Sequence, residues 1–303
     1  MKAETIEQEF ALHMPTIHKP WFEGWYIRIT SKDVSLAVII GLRAGTTGNS
    51  AFIQTLDTRT QRSRYTSYTM DEVYIDQAPY TIHIKDNTFS MNHLSLRLPY
   101  LQGEISMRNF FPLKGNLYAP TIMGPFAYYK NMQCIHSVIS MYHEVQGSLR
   151  IDTTAYQIFG RGYMEKDRGT SFPSHYIWFQ SNTCREVYSG FFLSIAHIPL
   201  SKISFKGCIC VLMNQGKQLR FATYLGCRVR KIQDKNIYIL TQFPYKLYVK
   251  IVPGKGCTLK APHKGEMNEE VEETLQAKAH VILYRYHQKL QDMIFTHGGY
   301  EKR

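Results

Sequence analysis

Short runs alternating between apolar and polar residues follow one another along this chain, with turn residues between them and few helical repeats. In Tyr80–Lys85, for example, Tyr80, Ile82 and Ile84 fall on one face while Thr81, His83 and Lys85 fall on the other, which is the period of a half-buried strand. Comparable runs recur at Gly24–Thr30, Ser35–Leu42, Ala51–Leu56, His93–Leu98, Glu104–Arg108 and Gly147–Asp152. They continue through Ala155–Phe159, Tyr176–Ser181, Gly190–Ile198, Ile203–Met213, Leu219–Tyr224, Ile237–Phe243, Lys246–Val252 and Val281–Tyr286. Strands at this spacing without amphipathic helices between them predict an antiparallel all-β protein. Two segments read as helical: a short N-terminal turn, and Asn268–Ala279, where Asn268 serves as N-cap and four glutamates suit the first turns. A chain of 303 residues accommodates two domains of ordinary size, and the similar strand content of its halves predicts β domains at 1–152 and 153–303. The stretch Asn116–Asn131, rich in Met, Phe and Tyr and broken by two prolines and a glycine, reads as a lid or an inter-sheet crossover.

Charge is uneven. Residues 1–150 hold 14 Lys/Arg against 12 Asp/Glu, whereas residues 151–303 hold 22 against 12. Between Lys202 and Lys264 there are 13 basic residues and one acid, Asp234. This stretch reads either as solvated strand positions whose lysines guard sheet edges, or as a peripheral face for an anionic membrane or an acidic partner. A nucleic-acid partner is not expected, because no recognition module is present and the charge is spread over several strands. The N-terminal MKAETIEQEF has no apolar run, no segment is long enough to span a membrane, and the six cysteines lack a disulfide-framework spacing. The expectation is a cytoplasmic protein with reduced thiols. Cys208 and Cys210, one apart between apolar neighbours, read as buried small hydrophobes.

The segment richest in chemistry is Gly162–Asn182, GYMEKDRGTSFPSHYIWFQSN. It reads as a strand, a turn at Asp167–Ser174 and a second strand from His175 to Ser181. Alternation puts Glu165 and Asp167 on one side, Lys166 and Arg168 on the other, and groups Trp178, Gln180 and Asn182 on one face of the returning strand. The two acids read either as a catalytic pair or as a turn paired with Lys166, Arg168 or Arg161. Glu23 reads either as a second acid or, preferably, as a buried carboxylate satisfied by a backbone or Arg partner across the sheet. His136 and His143 are seven apart, on opposite faces of a regular strand, so no zinc site is expected from them.

FEGWY at Phe22–Tyr26, AFIQ at Ala51–Gln54, Pro120–Leu149, Gly162–Asn182, IAHIPL at Ile195–Leu200 and RFATY at Arg220–Tyr224 together resemble the tocopherol cyclase family, in the family's order over roughly residues 20–285. Two positions depart from the family pattern. Arg168 stands where an aromatic Trp is common, and Cys184 where an aromatic is usual. The resemblance implies a lipocalin-like all-β fold with two β domains enclosing an apolar cavity. It also implies ring closure of a prenylated quinol to a chromanol, with no redox cofactor and no metal.

Ring closure of that kind requires an acid able to protonate an alkene, a way to hold the resulting tertiary cation, and a phenol oxygen to attack it. A buried carboxyl beside a second carboxylate keeps its proton near neutrality, which makes Glu165 and Asp167 the candidate acid pair and His136 a candidate proton-transfer group. Trp25, Tyr26 and Trp178 offer aromatic faces to the cation, and Gln180 and Asn182 offer hydrogen bonds to the quinol hydroxyl. The competing expectations are a non-catalytic carrier of an apolar ligand, and a hydratase or pericyclase on the same scaffold.

Overall fold

The computed structural model describes residues 5–13, 20–129, 132–200, 203–232 and 235–303. Lys202 and Asp234 of the basic stretch, and Lys130 and Asn131 of the 116–131 connection, lie outside the described residues. The chain forms two large antiparallel sheets. The first holds β1 (Trp21–Ser31), β2 (Ser35–Gly45), β3 (Gly48–Asp57), β4 (Arg62–Tyr68), β5 (Val73–Gln77), β6 (Tyr80–Ile84), β7 (Asn87–Ser90), β8 (His93–Leu98), β9 (Leu101–Phe111), β10 (Cys134–Ile151) and β11 (Thr154–Gly169). Their spatial order is β4-β3-β2-β1-β11-β10-β9-β8-β7-β6-β5. The second holds β12 (Tyr176–Ser181), β13 (Gly190–Leu200), β14 (Ile203–Asn214), β15 (Lys217–Ala222), β16 (Arg228–Ile232), β17 (Ile237–Gln242), β18 (Tyr245–Val252), β19 (Cys257–His263), β20 (Glu266–Arg285) and β21 (Gln288–Lys302). Its order is β15-β14-β13-β12-β21-β20-β18-β17-β16, with β19 paired to the other end of β20.

The all-β expectation is met, and the N-terminal turn is present as α1 (Ile6–Phe10), opened by a capping box between Thr5 and Gln8. The helix expected at Asn268–Ala279 is absent: those residues lie inside the twenty-residue strand β20. Val271, Leu275, Ala277, Ala279, Val281 and Leu283 are all buried at odd positions, while Glu270, Glu272, Gln276 and Lys278 are exposed between them. This period-two burial outweighs the helix-start signal of the glutamates. The changeover between sheets falls at 170–175, whereas residue 152 is the turn of the β10–β11 hairpin within the first sheet. Among the described residues, no helix is long and apolar enough to cross a membrane.

Alternation on the central strands divides the interior into three layers. Trp25, Ile27 and Ile29 of β1 enter a core belonging to the first sheet, with Ile53, Leu96, Ile105 and Met164. Phe179, Phe191, Leu240, Val249 and Phe295 build the core of the second sheet, which also buries Cys208 and Cys210. Between them lies a third cluster, including Tyr26, Met123, Tyr163, Trp178, Phe192 and Val271, drawn from both sheets. The functional groups lie in this middle layer.

Candidate functional site

β1 and β11 run side by side, with Tyr26 opposite Glu165 and Gly24 opposite Asp167. Because strand neighbours point to opposite faces, Glu165 and Asp167 turn toward the second sheet while Lys166 turns into the first core. Lys166 Nζ lies 3.1 Å from Glu23 Oε1, with both side chains fully buried, and donates to the Ala11 carbonyl at 2.9 Å. Glu23 also accepts from the His13 backbone N–H at 3.0 Å. Glu23 is thus satisfied by backbone, as expected, and by Lys166 instead of the expected arginine, and the middle residue of the Glu165–Lys166–Asp167 tripeptide is an anchor on the far face.

A cavity of about 170 Å³ opens between the sheets, many times the space a single water needs. Its walls are largely apolar and aromatic, with Phe22, Tyr26, Phe52, Phe172, Tyr176 and Trp178 among them. Glu165, Asp167 and His136 line it together. His136 Nδ1 sits 2.9 Å from Asp167 Oδ1, its Nε2 sits 3.7 Å from Glu165 Oε2, and its ring stacks on Phe192 at 5.1 Å. Glu165 Oε2 accepts from the Tyr163 hydroxyl and from Trp178 Nε1 at 3.1 Å. With both of those donors on Oε2, Oε1 is the oxygen placed to carry a proton.

Burial pushes the Glu165 carboxyl up to about 8, with the Asp167 charge adding to it, against the His136 charge and the hydrogen bonds from Tyr163 and Trp178. Burial works against an imidazolium at His136, yet the Asp167 and Glu165 carboxylates raise its pKa to about 9. Near neutral pH the Glu165 carboxyl therefore keeps its proton, and a charge on His136 works against it.

The donor atoms of His136, Glu165 and Asp167 lie within 4.8 Å of one another, a spacing that could hold a metal ion. The 136/143 spacing gives no hint of this set, because its members come from two neighbouring strands. Glu165 Oε2, His136 Nδ1 and Asp167 Oδ1 are engaged in hydrogen bonds, while His136 Nε2 has no hydrogen-bond partner among the described residues. The donors already present fit a proton-handling group. His143 lies on the side of the first core, where its ring packs tilted against Phe110 at 4.9 Å, and burial lowers its pKa to about 3.

Tyr26 and Trp178 face the cavity and meet edge to face at 5.3 Å. Three expected binding residues do not line it. Trp25 is fully buried in the first core, its Nε1 donating to the Phe10 carbonyl at 2.8 Å, because adjacent strand residues cannot share a face. Gln180 is buried further along β12, and Asn182 donates to the Gly162 carbonyl at 2.7 Å, tying the sheets together. Gln180 and Asn182 do share the Trp178 side, but they lie past the end of the cavity. Arg168 and Cys184, the two departures from the family pattern, are also outside the lining.

Two carboxyl groups that sequence reasoning missed complete the wall. Glu273 of β20 and Glu301 of β21 are cross-strand partners, and both line the cavity. Glu273 accepts from the Tyr26 hydroxyl at 2.6 Å. Burial raises its pKa to about 7, held back by Tyr26 and Arg28. Burial, with the charges of Asp167 and Glu165, pushes Glu301 up to about 8, and its Oε1 has no hydrogen-bond partner among the described residues. Glu273 was legible as an acid in the buried register of an alternating strand.

The 116–131 connection joins β9 to β10, adjacent strands of one sheet, so it is not an inter-sheet crossover. It nevertheless reaches the second sheet: Arg220 donates to the carbonyls of Lys114 and Thr121, and the Tyr224 hydroxyl to that of Ile122. Met123 and Phe126 from this segment line the cavity. Gly124 has φ +60°, and a Cβ there would lie 2.5 Å from the Tyr224 ring, so glycine meets both demands.

No family model matches the sequence, and no curated protein is similar to it in sequence. Solved structures do resemble it over nearly its whole length. A putative AttH from Nitrosomonas europaea superposes with a TM-score of 0.55 at 8% identity, covering 99% of this chain and 97% of the other. CghA gives 0.54 at 9% identity, covering 93% and 88%, and CghA with Sch210972 gives 0.53 at 10% over the same shares. Kievitone hydratase from Nectria haematococca matches more loosely, at 0.45 and 9% identity over 94% and 89%. At such identities the likeness is one of fold, and the two-sheet lipocalin-like architecture agrees with that expected from the motifs.

Proposed function

We propose that this protein is a cofactor-independent, acid-catalysed cyclase that closes a ring in a prenylated quinol or a related isoprenoid. The observation that carries this reading is Glu165, a carboxyl raised to about 8 by burial and by Asp167, in the wall of an apolar, aromatic cavity. An alkene is so weak a base that its protonation needs an acid both neutral and shielded from water. Glu165 Oε1–H would deliver the proton to the alkene carbon. The Trp178 and Tyr26 rings would face the tertiary cation, and the phenol oxygen would close the ring as it loses its own proton. The net reaction is an isomerisation, so no oxidant or reductant is consumed. The motif resemblance to tocopherol cyclases supports this substrate class. A carrier of an apolar ligand would need none of these ionisable groups, whereas a hydratase would use the same acid with water as the nucleophile.

The test is incubation of the purified protein with a reduced phytyl-quinol, followed by chromatography against the authentic chromanol. The expected outcome is an isobaric product with shifted retention, falling at least about 100-fold in Glu165→Gln and falling also in Asp167→Asn. A product heavier by one water would move the assignment to a hydratase. Saturable binding without any product would move it to a carrier.

A further inference from the structure

The hydroxyl-binding task that sequence analysis gave to Gln180 and Asn182 falls to neither, since neither lines the cavity. What the cavity presents instead is Tyr26, whose hydroxyl donates to Glu273 Oε1 at 2.6 Å. The two belong to different sheets, Tyr26 to β1 and Glu273 to β20. Both are buried, and both line the cavity. The Tyr26 ring meets the Trp178 ring at 5.3 Å, and the Trp178 Nε1–H reaches Glu165. Glu165 and Tyr26, cross-strand neighbours on the first sheet, thus flank one aromatic edge, with Glu273 reaching Tyr26 from the second sheet.

The charges around Glu273 favour a proton acceptor. Arg28, on the same strand as Tyr26, is fully buried and held by the Ser35 hydroxyl and by the Leu275 and His297 carbonyls. Its charge opposes the rise that burial imposes on Glu273, as does the Tyr26 hydrogen bond. Cys257 of β19 and Glu301 of β21 are the cross-strand neighbours. At Glu165 burial raises the carboxyl, the His136 charge opposes that rise, and the Asp167 charge adds to it. Beside the acid at Glu165 the cavity thus holds a hydrogen-bonded Tyr26–Glu273 pair whose carboxyl the Arg28 charge favours as a proton acceptor.

We propose that Tyr26 and Glu273 form the phenol-receiving pole of the cavity, binding the substrate's aromatic hydroxyl and accepting its proton as the ring closes. This rests on the ring-closure reading. Tyr26 Oη touches the substrate, and Glu273 is the positioning residue behind it. As the new C–O bond forms, the phenol proton passes to Tyr26 Oη and the Tyr26 proton passes to Glu273. Glu165, having given its proton to the alkene carbon, is left as a carboxylate. Solvent exchange on product release returns one proton to Glu165 and removes one from Glu273, so protons balance and no electrons are transferred.

The experiment compares equilibrium binding of a phytyl-quinol with that of its monomethyl ether at the ring-closing hydroxyl, in wild type, Tyr26→Phe and Glu273→Gln, with folding checked by circular dichroism. Wild type should prefer the free hydroxyl by about tenfold or more, the worth of one charge-assisted hydrogen bond. Tyr26→Phe should erase the preference and Glu273→Gln should reduce it, while affinity for the ether changes little. If Glu273→Gln fails to fold, Tyr26→Phe alone decides. Product formation with the preference unchanged in a folded Tyr26→Phe protein would overturn this inference and leave the cyclase reading standing. A preference lost on Tyr26→Phe, without product from wild type, would overturn the cyclase reading and keep the hydroxyl site. No preference in wild type overturns the inference whatever the turnover.

Discussion

Lys166→Met should separate what the Glu165–Lys166–Asp167 tripeptide does for the fold from what it does for the cavity. The ammonium lies 3.1 Å from Glu23 with neither side chain exposed, donates to the Ala11 carbonyl, and sits 5.8 Å from the Trp25 ring centre. Methionine keeps nearly the same length and volume, so the cavity-forming part of the loss is small. What remains is a buried Glu23 carboxylate without its cation, a change that costs about 3–5 kcal/mol. Glu23 keeps the His13 N–H at 3.0 Å from both oxygens, which argues for the lower end, about 3 kcal/mol. At roughly 2–4 °C per kcal/mol for a chain of this order of size, the melting midpoint should fall by roughly 6–12 °C. The assay is thermal unfolding followed by near-ultraviolet circular dichroism, repeated with denaturant to obtain a free energy. Adding Glu23→Gln to Lys166→Met should recover part of the loss, because the stranded charge disappears. Glu165→Gln in the same assay should stay within about 1 kcal/mol of wild type, as it exchanges a carboxyl that is mostly protonated near neutrality for a similar shape. A Lys166→Met protein melting within about 2 °C of wild type would refute the assignment of Lys166 as the anchor.

Turnover should fall as pH rises through about 8, where Glu165 loses its proton. Because the His136 charge holds that pKa down, His136→Gln should move the alkaline limb to higher pH in a pH–rate profile, and a limb that moved lower would contradict the geometry. Gly162→Ala would put a Cβ 2.1 Å from His143 Nε2, so denaturant unfolding should show a loss of about 1–3 kcal/mol without a change in ligand preference. The basic stretch 202–264 presents Arg228, Arg230, Lys246 and Lys250 to solvent. Read as a face for anionic lipid, it should give liposome co-sedimentation at low salt that weakens as salt rises, and the absence of binding at low salt would remove that reading.

Much of the site was legible along the chain because β11 is regular. Alternation alone sends Glu165 and Asp167 one way and Lys166 the other, and it sends Tyr26 away from Trp25. What alternation cannot supply is how far the cavity extends along a face: Gln180 and Asn182 stand on the same side as Trp178, yet only Trp178 reaches the opening. Nor does it say which distant strands complete the wall. Glu273 was misread because four glutamates after Asn268 satisfy the rules for a helix start, while the buried alternation that overrules them becomes plain only from Val271 to Leu283. Glu301 lies on β21, a strand the alternating runs did not predict, and reaches the site through pairing with β12 and β20. The three-membered group of His136, Glu165 and Asp167 depends on the register of β10 against β11, which two bulges adjust.

Because each sheet closes over a core of its own, the layer between the sheets is relieved of holding the fold together. Three buried carboxyls and a half-buried fourth, with a histidine and an arginine, would be a burden at the centre of a single core, where each must be desolvated among residues needed for cohesion. Here they occupy a seam whose failure need not unravel either side. A seam of this kind can be rewritten piecemeal. Exchanging Met123, Phe126, Phe172 or Phe205 reshapes the space offered to a ligand while Ile53 and Leu96 on one side, and Leu240 and Val249 on the other, stay where they are. The architecture separates the inheritance of shape from the invention of specificity, so new ligands can be tried without first learning to fold again.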